Sequence, residues 1–298
     1  MNHSIVCVGN GVLDQVYEVE VQPRAGVKTT ALGFRESGGG PAATAALAIA
    51  RLGGRAAWWG RVGDDTAGRH SDELAQQGVD LSGMRTLPGT RTVRATVIVD
   101  RSGERSILID RSGMPPDAGF LAQNDMTGAA LLLADTRWPE GSEAALERAQ
   151  QAGIPRVLDA DGGSREVLER LAALADHVVF SDQGLAEFAG AGPAQERLAR
   201  AAARLKRVVA VTLGEAGSLW ALDGQTTAVP AFAVAVRDTT GCGDVFHGAY
   251  ALGLSEGMPP LVAARFASAA AAVKAANGRG WAGMPDRSAI KRLMETAK

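Results

Sequence analysis

The 298-residue chain sets 31 Lys and Arg against 33 Asp and Glu, a net charge of −2, which gives no electrostatic case for nucleic acid or an anionic membrane as a partner. It is 46% hydrophobic but only 5% aromatic, enough for a substantial core built largely of Ala, Leu and Val in one large α/β domain. Its two cysteines, Cys7 and Cys242, are far apart and match no metal-ligand spacing, which favours a reducing, cytoplasmic setting.

Ser4–Val8 is a continuous apolar strand running into Gly9-Asn10-Gly11-Val12-Leu13-Asp14. With no basic region before it, this start reads as a buried strand and not as a signal peptide. It nearly spells a dinucleotide fingerprint, but Asp14 stands in place of the third glycine. Residues 16–21 then alternate as a strand does, where a dinucleotide fold needs a helix, so the pattern argues against a nicotinamide site. Asp14 fits an acceptor for ligand hydroxyls or, equally, a turn-forming Asp.

Residues 16–36 and 90–110 read as paired β segments outside the main α/β pattern, with Thr92–Asp100 and Glu104–Asp110 as a hairpin around Arg101-Ser102-Gly103. Lys28, Asp110 and Arg111 on these segments fit either substrate contacts or a solvated face. Gly38-Gly39-Gly40-Pro41 leads into an Ala-rich helix, Ala42–Leu52, closed by Gly53-Gly54. Gly39 and Gly40 permit close backbone approach to a ligand; the same run also fits a hinge.

From residue 130, strand and helix alternate, which implies right-handed crossovers and a parallel sheet. The strands read Ala130–Ala134, Arg156–Leu158, His177–Phe180 and Val208–Val211. Their carboxyl ends carry Asp135 and Arg137, Asp159 and Asp161, Ser181, then Thr212 and Gly214, the polar clustering that a ligand crevice in an open sheet requires. Each alone also fits an Asx turn or a cap. Pro259-Pro260 starts a last long helix through Ala276, whose Arg265 and Lys274 interrupt any membrane-spanning run. The tail from Trp281 carries no signal, and no repeat or linker divides the chain.

The densest chemistry lies in Asp238-Thr239-Thr240-Gly241-Cys242-Gly243-Asp244, just before the helical pattern of Val245, Phe246, Ala249 and Leu252. A helix N-terminus offers unpaired N–H groups and a partial positive charge, so Gly241, Cys242 and Gly243 read as an anion cradle. Asp244 beside it suits a base that takes a proton from a hydroxyl attacking that anion. An ordinary strand-to-helix turn with a first-turn Asp fits the local pattern equally well.

This stretch resembles the C-terminal signature of the ribokinase-like (PfkB) family of sugar kinases, Asp-Thr-x-Gly-Ala-Gly-Asp, with Cys242 for Ala. The resemblance implies a ribokinase-like three-layer α/β/α sandwich with a mostly parallel central sheet, in a single domain over residues 1–298. It also implies a small β-sheet lid, formed by about 15–37 and 90–112, that closes over the sugar and serves as a homodimer contact. Asp244 would be the catalytic base and Gly241–Gly243 the anion hole, with ATP and Mg2+ as cofactors. Sugar contacts would fall on Asp14, Lys28, Gly39, Gly40, Thr44, Asp110 and Arg137. Thr212-Leu213-Gly214-Glu215-Ala216-Gly217 resembles the family's nucleotide-phosphate loop, which puts Thr212, Gly214 and Gly217 with Ser181, Gly241 and Gly243 in the ATP site. Gly60 to Asp65 resembles the N-terminal signature.

Besides Cys242, the chain departs from the family at Thr44, for Asn, and at Ser181 and Gly184, for the Asn and Glu of the Asn-x-x-Glu element. Magnesium would then be held mainly through ATP oxygens and water, with Asp159 or Asp161 as outer helpers. Gly38 to Ala46, Leu133 to Trp138, Phe180 to Leu185 and Thr239 to Gly248 together resemble the sulfofructose kinase branch. Lys28 and Arg137 match that branch's sulfonate grip, but Asp110 stands where an Asn is expected. A carboxylate facing a sulfonate costs about 4 kcal/mol near a surface. Either Asp110 turns away or pairs with Arg111 or Arg137, or the substrate is another ketose. A kinase of a 2-keto-3-deoxy sugar acid or a nucleoside, and a silent sugar-binding protein, are the competing functions. Tyr17 and Phe34 are the lid aromatics a nucleoside would stack on.

Overall fold

The computed structural model describes residues 4–66, 69–102 and 104–296. In chain order, β1 (Ser4–Asn10) runs almost directly into β2 (Val12–Glu18). After a loop, β3 (Gly33–Gly39) hands over to α1 (Pro41–Arg51), and β4 (Ala56–Gly63) returns through the core. Then come α2 (Arg69–Gln76), the short β5 (Arg85–Leu87), and the pair β6 (Val93–Val99) and β7 (Arg105–Asp110). Strand and helix alternate through β8 (Ala129–Asp135), α3 (Pro139–Gln151), β9 (Arg156–Ala160), α4 (Arg165–Ala172) and β10 (His177–Ser181). The pattern continues with α5 (Asp182–Ala189), α6 (Ala194–Leu205) and β11 (Val208–Thr212). A hairpin of β12 (Ser218–Leu222) and β13 (Gln225–Val229) precedes α7 (Cys242–Ser255), α8 (Pro260–Asn277) and α9 (Arg287–Thr296).

The large sheet has the order β13-β12-β11-β10-β9-β8-β1-β4-β5, parallel except for the β12–β13 hairpin at one edge. The period-2 pleat of β1 explains its unbroken apolar sequence. Ile5 and Cys7 join a core with α1, α7 and α8 on one face, while Val6 and Val8 join α3, α4, α5 and α6 on the other. The three-layer α/β/α sandwich expected from the sequence is therefore present. Progress across the sheet reverses at β1, with β4 on one side and β8 on the other, so the carboxyl ends of β1 and β8 bound a crevice.

The second, smaller sheet has the order β3-β2-β6-β7, with β2 and β6 parallel and the outer pairs antiparallel. Its inner face is sealed by Val16, Ala95 and Val97. Residues 19–32 do not continue the strands: Pro23 and Gly26, the latter at φ 76°, break the alternation, and Lys28 lies in this exposed loop. The tail is ordered too. Trp281 packs against Gly38, and α9 adds Ile290 to the core. Among the described residues no helix is long and apolar enough to cross a membrane.

Candidate active site

The 238–244 segment forms a tight loop capped by its own backbone. Asp238 Oδ1 accepts from the Thr240 amide at 2.8 Å, and the Cys242 amide donates to the Thr239 carbonyl at 3.2 Å. Gly241, at φ 75°, is the N-cap of α7, a left-handed conformation that a side chain would strain. The first helical bond runs from Val245 to the Gly241 carbonyl at 3.0 Å. Among the described residues the amides of Gly241, Gly243 and Asp244 have no backbone acceptor, so the cradle is offered by these three. The Cys242 amide is turned back into the loop, and its half-buried thiol is pushed up to about 11 by burial.

Asp244 stands beside the cradle. A Cβ built on Gly241 would lie 3.8 Å from Asp244 Oδ2, and one built on Gly243 would meet nothing within 4 Å. The ends of β8 and β9 bring more carboxylates against it. Burial, then the charges of Asp159 and Asp161, push the Asp244 carboxyl up to about 8, with His247 acting the other way. His247, one turn further along α7, is buried with Nδ1 3.2 Å from Asp159 Oδ2. Burial pulls its imidazole down, but Asp159 outweighs that and raises it to about 9. Asp135 accepts from the amides of Ala42 at 3.1 Å and Arg137 at 2.7 Å, tying β8 to the start of α1. Burial still pushes it up to about 6.

Asp14 lies on the inner face of the small sheet, packed so closely on Gly39 that a Cβ there would sit 2.4 Å from Asp14 Oδ2. Burial raises its carboxyl to about 7, opposed by Arg35. Gly40, at φ 100°, caps α1. Thr44 is buried below, with Oγ1 accepting from Trp281 Nε1 at 2.9 Å. Arg137 donates to Asp161 Oδ2 at 2.7 Å, and the Arg111 guanidinium is lowered by burial and by Arg137 nearby.

Of the alternatives left open for Asp110, the register fits the one in which it turns away from Asp14. In the sheet register Asp14 faces Ala95 and Ala95 faces Ile109, whereas Asp110 pairs with Arg94 on the opposite, outer face. Its carboxylate accepts from the Ser112 amide at 2.9 Å and hydroxyl at 2.6 Å, with Arg91 at 4.0 Å, and pairs with neither Arg111 nor Arg137. On the nucleotide side, Ser181 Oγ caps α5 by accepting from the Gly184 amide at 2.9 Å. A Cβ on Gly184 would fall 2.1 Å from the Ala160 carbonyl, so this backbone leaves no room for a side chain there. Thr212 ends β11 and Gly214 opens the following turn, while Gly217 abuts Val229 and serves packing.

Several residues around the loop escaped the sequence reading. Lys274 of α8 is fully buried and donates to the Thr240 carbonyl at 2.9 Å. Arg105 of β7 donates to the Thr240 hydroxyl at 2.8 Å and also to Thr239, with Asp238 at 3.8 Å; Arg35 of β3 reaches Asp238 at 3.7 Å. A signal existed for Lys274 alone: it shares a buried helical stripe with Ala267 and Ala270. A cavity of about 940 Å³ opens beside the loop, lined by Arg35, Ser37, Asp238, Asn277 and Trp281. Another of about 800 Å³, lined by Arg156, Asp176 and Val208, lies at the opposite ends of the strands and holds none of these residues.

The model of the pfkB family carbohydrate kinases matches residues 2–286. The chain belongs to this family. A fructokinase of Klebsiella pneumoniae is 32% identical over 286 residues, 89% of each chain. A ribokinase of Arabidopsis thaliana is 28% identical over 98% of this chain and 81% of its own. A crystal structure from Agrobacterium tumefaciens superposes with a TM-score of 0.89 at 34% identity, over 99% of this chain and 98% of that one. An Arabidopsis thaliana ribokinase solved with ribose and ATP gives 0.83 at 25% identity, over 99% of both. The protein is thus a pfkB kinase that uses ATP to phosphorylate an alcohol of a sugar or nucleoside. The match spans the 238–244 loop, and the relatives do not single out a sulfofructose branch.

Proposed function

We propose that this kinase phosphorylates a primary hydroxyl of a ketose or ketose derivative, with Asp244 as the base. The carrying observation is the Asp244 carboxylate, lifted toward neutral pH and standing beside the amides of Gly241 and Gly243 at the start of α7. ATP would lie with its phosphates at these amides and its base near residues 212–236 and 266–276. Asp244 takes the proton of the attacking hydroxyl, and the helix terminus stabilises charge on the transferring phosphoryl group. Asp14 and the Gly39-Gly40 backbone orient the sugar, and the small sheet, over residues 15–37 and 90–112, acts as a lid that excludes water. Thr44 acts through Trp281, and Ser181 by shaping the turn into α5.

Magnesium fits as an ion held largely by ATP oxygens and water: among the described residues no cluster could cage it, while Asp159 Oδ1 is buried without a donor. It would supply charge neutralisation on the phosphates.

An anionic ketose such as 6-deoxy-6-sulfofructose is the finer reading. Asp110 sits on the outer face, which removes the repulsion it would have caused, and Arg111 and Arg137 stand close together. Lys28 would join them from its loop. Tyr17 and Phe34 stack on each other, centroids 4.8 Å apart, and share the outer face with Leu108, which supports homodimerisation through the lid over nucleoside stacking. A cytoplasmic setting fits the two free thiols.

ADP release with ATP and magnesium across a panel of fructose, 6-deoxy-6-sulfofructose, ribose, a 2-keto-3-deoxy sugar acid and inosine tests this. Release with a ketose supports the reading. Release only with ribose, the acid or inosine overturns the ketose assignment, and binding without release points to a silent sugar-binding protein.

A further inference from the structure

Lys274 has no exposed surface, in a helix whose other buried positions are mostly alanine. An ammonium so placed is costly unless it is bonded, and a Met or Leu would fill the same volume without that cost. Its Nζ donates to the Thr240 carbonyl at 2.9 Å. Burial lowers its basicity, while Cys242, Asp238 and Asp244 act in the opposite sense. The bonded carbonyl belongs to the peptide that ends in the Gly241 N–H. In a trans peptide the C=O and N–H point in opposite directions, so holding the carbonyl toward α8 turns the Gly241 amide the other way.

We propose that Lys274 is a positioning residue, a cation tethered beneath the 238–244 loop that sets the Gly241 amide for the transferring phosphoryl group. The proposal rests on the kinase reading of that loop. It explains why a lysine stands buried inside an alanine-rich helix. The donors are then in place before charge develops, which is where such groups contribute most.

Lys274→Met keeps the volume and removes the donor. The expected result is a kcat about 10²-fold lower, the scale for losing one such donor, with the ATP KM within about 3-fold of wild type. Amide hydrogen exchange at 239–244 should accelerate at least about 10-fold while the other helices keep their protection. In Lys274→Ala, ammonium chloride should restore kcat in a saturable way and sodium chloride at equal ionic strength should not. Wild-type kcat and exchange in Lys274→Met overturn the proposal. So does lost activity with unchanged loop exchange, or with no ammonium recovery in Lys274→Ala. If the wild type turns over no sugar, the kinase reading fails, and loop exchange in the two variants still decides the role of Lys274.

Discussion

His247 Nδ1 lies 3.2 Å from Asp159 Oδ2, and both side chains are buried and couple electrostatically to Asp244. The imidazolium is a counter-charge in a cluster of Asp135, Asp159, Asp161 and Asp244, and it limits how far Asp244 is lifted. Its raised pKa means the pair stabilises the fold fully below the unfolded histidine value of about 6.5, and that stability is lost as pH rises through about 9. Replacing His247 with Leu strands Asp159 and should cost about 3–5 kcal/mol in urea unfolding at pH 7, most of it recovered in the His247→Leu, Asp159→Leu double variant. A double variant no more stable than the single one would sink the pairing argument.

The Asp244 carboxyl, raised to about 8, should give kcat/KM for the sugar an acid limb. Activity falls tenfold per unit of pH below about 8 and levels off above it, since the free enzyme must present the carboxylate. In His247→Gln the limb should move to higher pH. A flat profile from pH 6 to 9 contradicts the assignment of Asp244 as base.

Asp244→Asn should lower kcat by about 10²–10⁴-fold and leave ATP affinity nearly unchanged. Because the folded pKa of Asp244 is raised, the stability its protonated form contributes is lost as pH rises through about 8. The variant should therefore melt above the wild type at pH 9 and level with it near pH 3. Equal loss of turnover and ATP binding would make Asp244 a structural residue.

Trp281 fills the space against Gly38 and donates to Thr44. Trp281→Ala should destabilise by about 3–5 kcal/mol. Trp281→Phe, which keeps most of the packing, should cost roughly 1 kcal/mol from the lost hydrogen bond. Similar losses for the two would mean that the ring's polar edge, not its volume, matters.

Arg105 is partly exposed and should contribute little to stability, with Arg105→Ala melting within about 2 °C of wild type. The same change should lower kcat/KM for the sugar about tenfold and raise ADP release without sugar, because the lid no longer holds the loop. A stability loss in proportion to the activity loss would make it a structural residue instead.

The parallel sheet was readable because its strands are apolar runs ending in Asp135, Asp159 and Thr212, a pattern that pleat and burial impose directly. Asp244 and its glycines were readable because a helix start needs small residues before a ligand can approach. What sequence order hid was distance. Lys274 lies 34 residues from Thr240 and Arg105 lies 135 away; the helical stripe marks Lys274 as buried, but it does not reveal the loop as its partner. The direction of Asp110 was left open because a shift of one residue reverses the face, and it is Ile109 that shares the pleat with Asp14. Trp281 carried no local signal because its hydrogen-bond partner Thr44 is 237 residues upstream.

Arg105 joins β7, a strand of the proposed lid, to the hydroxyls of Thr239 and Thr240 in the proposed phosphate loop. If the lid closes as proposed, one opening event would free both halves of the reaction, and phosphosugar and ADP would not depart on independent clocks. The tempo of the cycle would follow solvent viscosity more closely than the strength of the bond being made.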